Sequence, residues 1–107
     1  MSLDFYLKNS NDDTLFSRNI THNLGKMATE ANIYKVLWHP ETANCFEAKD
    51  CIPILEKGLL ELLRNKEKYE QFNASNGWGT YKNFVPFVVA VLTACHEYPD
   101  ATVYTST

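Results

Sequence analysis

Three stretches of this chain repeat apolar residues at helical spacing, and a short segment near each end has the composition of a strand. Leu3-Asp4-Phe5-Tyr6-Leu7 reads as a strand, followed by a polar turn, Asn9-Ser10-Asn11-Asp12-Asp13. Ala101-Thr102-Val103-Tyr104-Thr105 has strand composition too, and pairing the two would make a small sheet that ties down both ends.

The first helical stretch runs from Ile20 to Trp38, with Ile20, Leu24, Met27, Ala31, Tyr34 and Trp38 within about 80° of arc. Ile33 and Val36 project from the opposite side, which predicts a second covered face, inside the domain or against another chain. His39-Pro40 ends this stretch. The second runs from Asp50, a fitting N-cap, to Arg64, with Ile52, Leu55, Leu59, Leu62 and Leu63 on one stripe and Pro53 expected in the first turn. Gly58 in its middle costs about 1 kcal/mol against alanine and predicts close packing. Lys66 to Phe72 predicts a further turn pinned by Tyr69 and Phe72. The third, Thr80 to Tyr98, lines up Phe84, Val88, Val91, Cys95 and Tyr98; Pro86 predicts a tight or kinked start and Pro99 a stop. The expected fold is α+β, mostly helical, with three main helices and a small sheet of the terminal strands, in a single domain over residues 1–107.

Composition narrows the function classes. With 45% hydrophobic and 21% charged residues in 107, the chain has ordinary globular usage and enough length to bury a core. A formal charge of -3, with Arg64, Lys66 and Lys68 interleaved among Glu61, Glu67 and Glu70, argues against nucleic acid as partner. The apolar run Phe84 to Cys95 is too short to span a bilayer, so no membrane role is expected. Three cysteines cannot all pair within the chain, and the N-terminal segment carries Asp4, Asp12 and Asp13 where a signal peptide would be basic then apolar. A cytoplasmic location with reduced thiols is the expectation.

The phrases Asn19-Ile20-Thr21-His22-Asn23-Leu24-Gly25-Lys26-Met27-Ala28, Tyr34-Lys35-Val36-Leu37-Trp38, Asn76-Gly77-Trp78-Gly79-Thr80-Tyr81 and Ala94-Cys95-His96-Glu97-Tyr98-Pro99-Asp100-Ala101 resemble a group of short bacterial and phage-encoded proteins. The resemblance covers most of the chain. It implies a prophage or mobile-element origin and brings no reaction or catalytic residue, while small phage accessory proteins often act by binding host components.

Chemistry-bearing residues are sparse. Trp78 sits between two glycines, unscreened, ahead of the most apolar segment, and Thr80 can cap the helix that follows. With Trp38, Tyr34 and Tyr81 it suggests an aromatic patch of the kind that anchors protein interfaces, although Trp38 lies on the core stripe. His22 and Asn23 open the first helical stretch, where backbone donors attract an anion unless Asn19 or Thr21 caps them; Asn23 and Glu30 flank the core stripe beside a groove. A metal would need His22, His39 or His96 to meet cysteines or carboxylates, and neither the six-residue step from Cys45 to Cys51 nor the adjacent Cys95 and His96 has ligand spacing. Cys45 or Cys51 with His39 is the one local nucleophile grouping, with no orienting third residue.

These observations favour a binding or interaction module without a cofactor. It would use Trp78, Tyr81, His22, Asn23, Glu30 and Ile33 toward an unknown protein partner or a second copy of itself. The rival classes are a small metal-dependent or Cys/His enzyme and a small-ligand sensor with a pocket beneath the Gly77 to Tyr81 loop.

Overall fold

A computed structural model describes residues 2–107. Two antiparallel strands, β1 (Ser2–Lys8) and β2 (Thr14–Thr21), lead into a 3-10 turn, His22–Leu24, and two short helices, α1 (Gly25–Glu30) and α2 (Tyr34–Trp38). A second 3-10 turn precedes the long helix α3 (Ala48–Arg64), the short α4 (Lys66–Glu70), the long helix α5 (Tyr81–Glu97) and a final strand, β3 (Thr102–Ser106). The fold is α+β and mostly helical. The terminal strands pair antiparallel, Tyr6 opposite Tyr104, in a sheet of order β2-β1-β3.

The alternation of β1 explains why the sheet lies where it does. Leu3, Phe5 and Leu7 are wholly buried on one face, while the intervening positions are only partly covered. Their neighbours across the ladder, Ile20, Arg18 and Phe16, share that inner face. The turn after β1 closes through Asn9, whose side-chain oxygen accepts from the amides of Asn11 and Asp13, with Asp12 at φ 65°.

The first helical stretch is present but broken, which corrects the continuous helix expected from Ile20 to Trp38. Ile20 and Thr21 end β2, and Asn32 at φ 61° separates α1 from α2. That break turns the chain so that Ile33 and Val36, expected on a second face, point into the core and are buried. Capping by Asn19 or Thr21 is also corrected, for Asn19 reaches across the sheet to Ser2 and Asp4, and Thr21 makes no side-chain cap.

Helix α3 begins two residues before the expected Asp50. Glu47 is its N-cap, and Asp50 is the third helical residue of a reciprocal capping box, its carboxylate accepting from the amides of Phe46 and Glu47 at 3.2 and 3.0 Å. Pro53 therefore lies in the second turn rather than the first, and the helix runs through it. The buried line is Ala48, Cys51, Leu55, Gly58 and Leu62, leaving Leu63 at 55% exposure instead of on the core stripe. Gly58 is packed as its position predicts, since a Cβ there would overlap Cγ2 of Ile33. Thr80 caps α5 by accepting from the Asn83 amide at 3.3 Å, and the α-helix runs from Tyr81 to Glu97 with Pro86 inside it. Its buried residues, from Tyr81 to Cys95, lie between α3 and the inner face of the sheet, and one contiguous core joins all three layers of contact.

Candidate functional site

The loop between α4 and α5 is held by its own polar groups. The Asn76 side chain accepts from the Trp78 amide at 2.9 Å, the Asn73 side chain accepts from the Tyr81 amide at 2.7 Å, and the Ala74 amide donates to the Gly79 carbonyl at 3.0 Å. Gly77 and Gly79 adopt φ 77° and 101°, a region that side chains strain to enter. Gly79 is seated on the turn after β2, where a Cβ would lie 3.0 Å from that of Asn23 and 3.2 Å from Cγ2 of Thr21. Asn23 completes the attachment by donating from Nδ2 to the Trp78 carbonyl at 3.0 Å. The backbone of Trp78 is therefore fixed while its indole is 70% exposed, the most exposed large apolar side chain among the described residues.

The indole stands at one end of a groove of about 570 Å³ between the outer edge of β2 and the first turns of α5. Arg18 to Thr21 form one wall, Asn83, Pro86, Phe87 and Ala90 the other, and the Gly77 to Gly79 loop the end. On the far side of the indole, Asn19, His22 and Asn23 line a second concavity with Ser2. Trp78 is thus shared by two clefts.

The expected residues divide around this site. Trp78, Asn23 and His22 come together. Tyr81 does not reach the surface: it is buried and its hydroxyl donates to the Leu62 carbonyl at 2.9 Å, so its place in the expected binding set is corrected to the core. Ile33 is corrected likewise, being wholly buried against Gly58. Glu30 borders a different groove, beside Lys57, Arg64 and Lys68. Trp38 is in the core, stacked on Tyr34 at 5.1 Å, with Nε1 donating to Nδ1 of His22 at 3.4 Å. Arg18, Pro86 and Phe87 also line the groove and were not expected there: no element is predicted between Asp13 and Ile20, and Pro86 is expected only as a break near the start of the third helix.

The other candidate chemistry does not converge. His39 approaches Glu41 at 3.9 Å and His96 approaches Glu56 at 3.6 Å, each on the surface, while one nitrogen of His22 is occupied by Trp38. Among the described residues no three of the His, Cys, Asp and Glu side chains are disposed to hold a metal ion. The Cys45 thiol donates to the carbonyls of Ala43 and Asp50, not to His39, and burial pushes it up from the ordinary thiol range. Cys51 is raised as well, by the neighbouring Cys95 thiol and by burial, and its own Sγ–H faces the Glu47 carbonyl at 3.9 Å. These are packed core thiols rather than a nucleophile with its base.

No family model, no curated protein and no solved structure matches the chain. No helix among the described residues is long and apolar enough to cross a membrane.

Proposed function

We propose that the chain is a cytoplasmic binding module of phage or mobile-element origin that holds a protein partner at the Gly77-Trp78-Gly79 loop, the turn His22–Asn23 and the groove beside them. One observation carries the reading: the exposed indole of Trp78 sits on a backbone fixed by Asn23, Asn76 and Gly79. An aromatic anchor that is already ordered loses little conformational freedom when a partner covers it, so more of its buried area is realised as affinity. The cleft on each side supplies walls for a partner's side chains. With Tyr81 and Ile33 in the core and Glu30 on a different groove, the contact surface proposed here keeps Trp78, Asn23 and His22 of the residues first expected.

The test is selection of linear dodecapeptides from a random display library on the immobilised protein, followed by binding of the selected peptides to Trp78→Ala. Because the indole packs against little of its own chain, Trp78→Ala should melt within about 2 °C of the parent, a stability change under about 0.5 kcal/mol. The selected peptides should lose at least tenfold in affinity. Peptides that bind the variant as well as the parent, or a selection that yields none, would remove Trp78 from the function.

A further inference from the structure

Backbone accounting singles out one edge of the sheet. The outer edge of β3 is covered over its first residues: the Val103 amide donates to the Phe46 carbonyl at 3.0 Å, Thr102 bridges Glu47, and the Ala48 amide donates to the Ala101 carbonyl at 2.8 Å. The outer edge of β2 has no such cover. From Thr14 to Asn19 its backbone pairs only with β1, and no other described segment donates to it or accepts from it. A row of unpaired amides and carbonyls is a template for one more strand. Beyond the bulge at Leu15, Phe16 to Asn19 keep an unbroken register, about 13 Å of extended chain, so a short peptide suffices.

The inner face of that edge states which strand it would accept. Arg18 shares the face of Phe5 and lines the groove toward Phe87 and Ala90. It is the only charged residue of the groove, no acidic side chain lies with it, and it makes no ion pair among the described residues; its guanidinium rests 5.6 Å from the Phe16 ring. A cation that points inward from an edge strand repels wrong pairing. A second copy of β2 would bring its own Arg18 onto the same face of the extended sheet, with no carboxylate to separate the two cations. A strand bearing an aspartate or glutamate there gains a charge-assisted, bidentate contact instead.

We infer that the free edge of β2 takes an extended acidic peptide segment as a fourth strand, its carboxylate on Arg18 and its next inward side chain against Pro86, Phe87 and Ala90, with Trp78 closing the end. Main-chain hydrogen bonds would supply the affinity and the Arg18 pocket the specificity, as in strand addition generally. The inference rests on the proposed binding function and deepens it by naming the class of partner.

The peptides selected on the parent protein serve as the probe. Their sequences should carry Asp or Glu, two positions from an apolar residue, in most independent clones. Arg18→Glu should weaken the acidic peptides at least tenfold and bind their Glu-to-Lys counterparts better than the parent does, an inversion that simple loss of structure does not produce. N-methylation of alternate peptide amides should abolish binding in one phase of the alternation and spare it in the other. Peptides lost on Trp78→Ala but indifferent to both Arg18→Glu and N-methylation would overturn strand addition while leaving the binding function standing. A selection that returns no peptide would overturn both.

Discussion

At the scale of single residues, Gly58 shows how one missing side chain sets the relation of two elements. It lies inside α3, where glycine costs about 1 kcal/mol relative to alanine, so an open helix position would gain from the exchange. Here the incoming methyl meets Cγ2 of Ile33, which is wholly buried, and the Ala31 carbonyl at 3.3 Å. Overpacking of a tight core costs about 1–3 kcal/mol, which exceeds the propensity gain. Gly58→Ala should therefore destabilise the protein by about 1–2 kcal/mol in urea denaturation. Ile33→Ala alone should cost about 2–5 kcal/mol through its cavity, and the double variant should be more stable than the sum of the two predicts, because the new methyl enters the vacated space. Strict additivity would mean that the two residues do not share that contact. The closeness at Gly58 was readable from sequence because a glycine in a strong helical pattern has few other reasons to be there. Its partner was not, since Ile33 was assigned to a helix face that the Asn32 break abolishes.

Among the elements, the start of α3 decides more than one helix. The carboxylate of Asp50 accepts from the amides of Phe46 and Glu47, and the Phe46 carbonyl in turn accepts from the Val103 amide on the edge of β3. One capping box thereby both begins a helix and covers the start of the β3 edge. Asp50→Ala should cost about 1 kcal/mol, the usual effect of losing a cap, whereas Asp50→Asn, which keeps an acceptor oxygen, should cost less. Amide exchange at Val103 should speed up in the alanine variant only; equal exchange in both would separate the cap from the sheet edge. The two long helices were legible because each keeps a sustained 3.6-residue period over 17 residues. β2 was not, because as an edge strand it buries only Ile20 and so carries little hydrophobic alternation. The loop anchor Trp78 was visible from its flanking glycines, but the groove beside it belongs half to β2 and could be recognised only once that strand was placed.

For the molecule as a whole, the three cysteines report whether the core opens as one unit. Cys45 lies before α3, Cys51 in its first turn and Cys95 near the end of α5, and all three are buried free thiols. Each of the three thiols perturbs the ionisation of another, so parts of the chain separated by as many as 50 positions lie close together in the core. Sequence placed Cys95 on the core line, but Cys45 follows an irregular turn with no period to orient it, which is why their meeting was not foreseen. Alkylation requires an exposed thiolate, and burial opposes both exposure and ionisation of Cys45 and Cys51. If the core opens only globally, with a stability of at least about 5 kcal/mol, each thiol should react with iodoacetamide more than about a thousandfold slower than a free cysteine. All three should then show one common opening free energy and the same dependence on urea, as two-state behaviour requires. Rapid labelling of Cys45 alone would mean that the segment before α3 opens independently, and with it the cover that Phe46 and Glu47 place on the start of the β3 edge.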